Sequence, residues 1–293
     1  QAIINKFKRD NNLSYNLDEI MVGVGGKHII YNVMMATLNP NDEVIIPAPY
    51  WVSYPDIVLL AEGKPVIVPC DAKQGFKILP QQLEQHINQN TKWLMLNSPS
   101  NPTGAVYSYN ELKELSEILL KYPQVFILSD DIYEKILYDN IDFYTIATVE
   151  PKLKNRTVTM NGVSKAYCMT GWRLGYCGGP EEIIKAINKI QSQSTTSTSS
   201  ISMAAAVEAL NGNQDFIQTH NQSFKKRRDM VVEKLNKVPG ITCDNPSGAF
   251  YVYPSCKGCI GKKTEKNITI NTDEDFMNYL LESEGIAGVH GEA

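Results

Sequence analysis

No apolar run in the 293 residues reaches the length of a membrane span, which takes about 20 consecutive apolar residues. The opening segment, Gln1 to Asn11, is polar and mixed in charge. It has none of the layout of a secretory signal, so a cytoplasmic setting is the default reading. Positive charge is in slight deficit, with a formal net charge of −4 and no basic stripe, and the electrostatic footprint of a nucleic-acid binder is therefore missing. The one basic cluster, Lys225-Lys226-Arg227-Arg228, sits inside a helical pattern and reads as a solvated helix face. Cysteine is sparse: Cys70, Cys168, Cys177, Cys243, Cys256 and Cys259 are scattered and read as reduced thiols, not a disulfide framework. Cys256 and Cys259 form a C-x-x-C, but no second Cys or His pair lies close by, so neither a metal nor a redox centre is expected there. There is no internal repeat.

What is present is the composition of a globular enzyme, 43% hydrophobic and 20% charged, on a chain long enough for a sizeable core. Short apolar runs alternate with amphipathic stretches. Candidate strands are Glu43–Ala48, Pro65–Pro69, Lys92–Asn97, Val125–Ser129, Thr157–Asn161 and Leu174–Gly178. Their β-branched and apolar content suits strands covered on both faces. Helical patterns fill Lys27–Leu38, Tyr54–Ala61, Pro80–Asn88, Ser108–Lys121 and Glu181–Ile190. The alternation predicts an α/β fold, a mainly parallel central sheet wrapped by helices. Gln191–Ser202, rich in Ser and Thr, reads as a functional loop leading into a helical Met203–Leu210. A long helix from about Asp215 to Lys237 then leads to a stretch of different character, with an apolar Ala249–Tyr253 and a helical Asp273–Glu284. This tail resembles the start of a smaller α+β domain. The division is a large domain at 1–228 and an incomplete small one at 229–293, and the sequence reads as one cut short.

In wound parallel sheets ligands bind beyond the C-terminal strand ends. Lys92–Asn97 is followed by Ser98-Pro99-Ser100-Asn101-Pro102-Thr103-Gly104, and Val125–Ser129 by Asp130-Asp131-Ile132-Tyr133. Thr157–Asn161 is followed by Gly162-Val163-Ser164-Lys165 and then Thr170-Gly171-Trp172-Arg173. Three successive strands thus deliver Asn, Asp with Tyr, and Lys with Arg to one edge. Upstream, Gly23-Val24-Gly25-Gly26-Lys27 opens a helix, where free backbone N–H groups and the helix dipole hold a phosphate. Each element alone has a bland reading. A glycine pair before a helix is ordinarily a turn, Asn-Pro-Thr-Gly is a good turn sequence, and an Asp at a strand end caps helices. A single Lys is usually a solvated charge, and Arg173 would serve equally in a structural ion pair. The joint occurrence, in this order, is the signal.

These blocks resemble the class I pyridoxal-phosphate-dependent aminotransferases of fold type I, and most closely the bacterial aspartate (aspartate/prephenate) aminotransferase branch. The resemblance also takes in Ala48–Pro55, Met169–Tyr176, Gln191–Ser197 and Gly248-Ala249-Phe250-Tyr251, and it runs collinearly through nearly the whole chain. It implies that Lys165 holds the cofactor as a Schiff base and moves the proton during catalysis. Asp130 would pair with the pyridine nitrogen, and Tyr133 and Asn101 would bond the phenolic oxygen. Trp51 would stack on the ring, and Gly25, Gly26, Lys27 and Arg173 would hold the phosphate. Trp51 and Asn101 are the candidate substrate-binding residues. The implied reaction is ping-pong transfer of the amino group of aspartate, or a similar amino acid, to 2-oxoglutarate, with prephenate a further candidate acceptor. The implied assembly is a homodimer with composite sites.

Two departures stand out. Many relatives have Ser three residues before the Schiff-base lysine; here that position is Gly162, which shifts the phosphate grip toward Arg173, the 25–27 amides and Ser164. The family's N-terminal arm and its carboxylate-clamping Arg would lie before Gln1 and after Ala293. Two other readings stay open at this level: a lyase on the same cofactor and fold, and a non-catalytic ligand-sensing domain.

Overall fold

A computed structural model describes residues 1–292. In chain order the elements are α1 (Ala2–Asn11), β1 (Ile20–Gly23), α2 (Gly26–Thr37), β2 (Glu43–Ala48), α3 (Ser53–Leu60) and β3 (Lys64–Pro69). They continue through α4 (Pro80–His86), β4 (Thr91–Asn97), α5 (Tyr109–Lys121), β5 (Phe126–Asp130), α6 (Ile146–Val149) and β6 (Thr157–Gly162). The last are β7 (Gly175–Gly178), α7 (Glu181–Gln193), α8 (Ser200–Asn211), α9 (Asp215–Leu235) and α10 (Asp273–Glu284).

The strands form a seven-stranded sheet in the order β1-β7-β6-β5-β4-β2-β3. From β3 to β6 every neighbouring pair is parallel. β7 runs antiparallel to β6 and β1 antiparallel to β7, so the sheet is mixed at one edge. Every residue of β6 and β7 is buried, as expected for strands covered by helices on both faces. One covering layer is α2, α3 and α7, where Ile29, Val33, Met34, Ile183 and Ile187 pack against Met95, Leu128 and Val158. The opposite layer, α4 and α5, sets Leu83, Leu112, Leu115 and Leu119 against Ile45, Leu94 and Ile127. α5 starts at a reciprocal cap: Ser108 Oγ accepts from Glu111 N at 3.3 Å, and Glu111 Oε2 accepts from Ser108 N at 2.7 Å.

Besides the short α6, two elements go beyond the sequence reading. β1 is only four residues long with a glycine end, and its identity comes from pairing with β7. α1 has a polar sequence, yet Lys6 is 1% exposed and ion-paired with the buried Glu134. Lys6 also donates to Asn11 Oδ1 (2.7 Å), and Asn11 Nδ2 donates to Glu134 Oε2 (2.7 Å). The helix is therefore bound to the β5 turn by a buried polar triangle, whose charges are tolerable only because each is paired and hydrogen-bonded.

Two expectations are corrected. The Ser/Thr-rich loop is confined to residues between α7 and α8, because both helices extend into Gln191–Ser202. The basic cluster is not wholly a solvated face. Arg228 is 7% exposed, and its Nη1 donates to Asp139 Oδ2 (2.7 Å) and to Pro246 O (2.9 Å), because the chain after α9 folds back over that helix. α9 itself runs unbroken across residue 228. Asn221 Nδ2 donates to Lys135 O (2.6 Å), and Asn236 beyond the last turn exchanges two hydrogen bonds with Cys243. The cysteines are free. No helix among the described residues is long and apolar enough to cross a membrane.

Candidate active site

The C-terminal ends of β4, β5 and β6 lie side by side, with Asn97 paired to Asp130 and Asp130 to Met160. Beyond β6 the chain makes the turn 163–174 and returns as β7, closing in register at Gly162 and Gly175. That turn carries Lys165 and Arg173 back over the strand ends. The result is a cavity of about 240 Å³ lined by Gly26, Lys27, Trp51, Asn101, Asp130, Tyr133, Lys165 and Arg173, and also by Tyr54, Asn97, Ser164 and Tyr251. The structure brings together the residues picked out from the sequence, and Gly25 stands immediately behind Arg173. A larger groove of about 960 Å³ lies between α9 and α10, but apolar side chains such as Leu235, Phe276 and Leu280 dominate it. Chemistry, not size, selects the site.

At one end of the cavity is a place for an anion. Gly25 caps α2 with φ 85° and no side-chain cap, leaving the first-turn amides for a ligand. A Cβ on Gly25 would sit 2.2 Å from Arg173 Nη2, so only glycine lets the guanidinium close against this turn. Arg173 adopts φ 47° and donates from Nη1 to Thr170 O at 2.9 Å, which aims its second nitrogen at the Gly25 turn. The Lys27 ammonium lies 4.8 Å from the Trp51 ring centroid, in cation–π range.

At the other end Asp130 is 4% exposed. Tyr54 donates to its Oδ2 at 2.6 Å and Ile132 N to its Oδ1 at 3.2 Å. Burial pushes this carboxyl up to about 6, opposed by the Tyr54 and Ile132 hydrogen bonds and by Lys165. Its neighbour Asp131 turns away from the cavity and accepts from Ser129 Oγ at 2.7 Å. Burial and Glu134 push Asp131 up to about 7, and its Oδ2 is buried without a partner.

Lys165 stands between the two ends. Burial first, then the Arg173 charge, lower its pKa, against the pull of Asp130. A lysine so placed reaches the neutral, nucleophilic form more readily. The Tyr133 hydroxyl lies 2.5 Å from that of Tyr251. Asn101 is held by its own backbone, whose N–H donates to Asn97 Oδ1 at 2.7 Å. Gly162, the departure from the family pattern, has a physical cause here. A Cβ would approach Ile132 Cδ1 and Leu174 O at 3.0 Å, so a serine there would crowd the turn that carries Lys165.

Tyr54, Asn97 and Tyr251 are site residues that the sequence reading leaves without a role. Tyr54 falls inside the Ala48–Pro55 block, three residues beyond Trp51, which itself lies ahead of α3. Tyr251 lies inside the Gly248–Tyr251 block, but nothing local tells which of its side chains faces the cavity.

The site suits pyridoxal phosphate by its donor set. Cradle amides and Arg173 match a phosphate, a buried carboxylate matches a protonated ring nitrogen, and a deprotonation-prone lysine matches an aldehyde. The aminotransferase class I and II family profile matches residues 1–293. Over all 293 residues the chain is 56% identical to an aspartate/prephenate aminotransferase of Cereibacter sphaeroides and covers 73% of it. The crystal structure of an aspartate aminotransferase from Rhizobium meliloti superposes with a TM-score of 0.97 at 55% identity, over 99% of this chain and 73% of that one. An aromatic aminotransferase from Pyrococcus horikoshii superposes at 0.89 with 32% identity, over 99% and 75%. A lyase or sensing role is not favoured by these likenesses: the chain belongs to the class I and II aminotransferases.

Proposed function

We propose that this aminotransferase takes the amino group of aspartate, or a similar amino acid, to 2-oxoglutarate in two half-reactions, with prephenate as a further acceptor. Support for the donor comes from the aspartate names of relatives above 50% identity, against the lower 32% to the aromatic enzyme. The observation that carries the chemistry is the convergence of Asp130, Lys165 and Arg173 on one cavity at the ends of parallel strands.

Lys165 Nζ would hold pyridoxal phosphate covalently, Gly25, Gly26, Lys27 and Arg173 its phosphate, and Trp51 its ring face. When bound, this group supplies an electron-accepting ring that stabilises the charge left on a deprotonated substrate carbon. Asp130, buried and held by Tyr54, keeps a proton on the ring nitrogen through its negative charge. Tyr133 donates a hydrogen bond toward the phenolic oxygen, and Asn101 offers an amide both there and to the substrate carboxylate. Lys165 Nζ, once free, would move the proton between the substrate Cα and the cofactor carbon, a role favoured by the burial and the Arg173 charge that lower its pKa. The walls formed by Trp51, Tyr54 and Tyr133 limit water around that transfer.

The rest of the reading concerns context. Residues 1–228 act as a cofactor-binding domain and 229–293 as part of a smaller one, working as a homodimer in the cytoplasm. Adding aspartate to the protein loaded with pyridoxal phosphate tests the reaction: the cofactor absorbance should change and 2-oxoglutarate should restore it. An unchanged spectrum with aspartate and a changed one with an aromatic amino acid would overturn the donor assignment.

A further inference from the structure

Tyr251 lines the same cavity as Lys165, Asp130 and Tyr133. Its hydroxyl is 2.5 Å from that of Tyr133, and the rings meet edge to face with centroids 5.6 Å apart at 79°. This contact joins the turn after β5 to the chain beyond α9. The backbone enforces it: Ala249 N donates to Ile136 O at 2.9 Å and Gly248 N to Gly104 O at 2.9 Å, while Tyr138 Oη donates to Ala249 O. The segment bearing Tyr251 is thus fastened to the same turn that bears Tyr133. Phe250 packs edge-on against Tyr133 with centroids 5.5 Å apart, and Lys165 Nζ lies 5.7 Å from the Tyr133 ring centroid and 5.5 Å from that of Phe250.

A phenol has one proton to donate. Two phenols in contact at 2.5 Å share one of their two protons, and the other is free for a third group. Whichever hydroxyl donates within the pair cannot donate elsewhere. If Tyr133 gives its proton to an acceptor in the cavity, it must accept from Tyr251. Hydrogen bonds linked in this way strengthen one another by roughly 10–30% per bond.

We propose that Tyr251 is a positioning residue of the site: its hydroxyl donates to that of Tyr133, which directs the single Tyr133 proton at the group held by Lys165. The proposal rests on the reading in which Tyr133 bonds the cofactor's phenolic oxygen. The chain of donors makes Tyr133 the stronger donor to that oxygen. The oxygen is then less basic, and the adjacent Lys165 nitrogen releases its proton at lower pH.

Absorbance titration of the cofactor-loaded protein against pH tests this in the parent, Tyr133→Phe, Tyr251→Phe and the double variant. Phenylalanine retains the ring packing and removes only the hydroxyl. Tyr133→Phe should raise the titration midpoint. Tyr251→Phe should raise it by roughly 10–30% of that shift, and the double variant should match Tyr133→Phe alone. A parental midpoint in Tyr251→Phe beside a shifted one in Tyr133→Phe overturns the proposal and leaves the Tyr133 reading standing. Additive shifts in the double variant also overturn it, because Tyr251 would then act without Tyr133. A parental midpoint in Tyr133→Phe sinks the underlying reading, and the proposal with it.

Discussion

Tyr54, on the first turn of α3, donates to Asp130 Oδ2 at 2.6 Å, from the end of β5. Both groups are nearly sealed from solvent, at 3% and 4% exposure. Tyr54 N also donates to Trp51 O at 2.9 Å, just ahead of α3, so the ring-covering side and the charge-supplying side of the cavity are tied together at the start of that helix.

Tyr54→Phe should destabilise the cofactor-free protein by about 1.5–3 kcal/mol at pH 8, where the hydrogen bond is to a charged carboxylate. At pH 4 Asp130, raised to about 6, is protonated, and the loss should fall to about 1 kcal/mol. Urea unfolding at both pH values checks this. Equal losses would show that the bond is not to an ionised group.

Replacing Lys165 by Ala should lower turnover by about 10²–10⁴-fold or more, the usual contribution of a positioned proton-transfer group, while non-covalent cofactor binding persists. Borohydride reduction of the loaded protein followed by peptide mapping gives a direct readout. A label on another lysine refutes the assignment.

Asp130 and Asp131 should separate cleanly. Asp130→Ala loses rate far more than cofactor affinity, whereas Asp131→Asn, whose side chain faces Ser129, leaves the rate near that of the parent. Asp131 has its own signature in stability. Its pKa is raised to about 7 in the fold, so the folded form binds more protons and ionisation opposes folding. Between the unfolded carboxylate value and about 7, the parent should lose stability relative to Asp131→Asn as pH rises, at roughly 1.4 kcal/mol per unit. Paired unfolding curves that stay parallel from pH 4 to 8 would contradict this.

Gly162→Ser restores the residue common in relatives but places atoms against Ile132 and Leu174 O. Overpacking of that kind costs about 1–3 kcal/mol. Thermal unfolding should show the loss, and a cofactor titration should show no gain in affinity. A tighter-binding, equally stable variant would mean that the turn yields easily.

The homodimer reading predicts that activity and cofactor affinity fall together on dilution, because ligand and assembly stabilise the same state. Light scattering with parallel assays decides it, and full activity in a monomer would exclude a composite site.

Local sequence determined a good part of this molecule. β2 is read at its observed bounds because β-branched and apolar runs sealed on both faces have no other stable home. The segments that close β4, β5 and β6 single out Asn101, Asp130 and Lys165, since polar residues just past buried strands are placed to face a ligand or a cap. Tertiary structure decided the rest. β1 is a strand only because β7 offers it a ladder, and Lys6 is buried only because Glu134 and Asn11 complete its bonds. The choice of Asp130 over Asp131 follows from the pleat, which turns one carboxylate toward Tyr54 and the other toward Ser129. Tyr133 and Tyr251 lie far apart along the chain and meet at 2.5 Å. No local pattern encodes such a meeting, because it depends on how the chain beyond α9 folds back over the β5 turn.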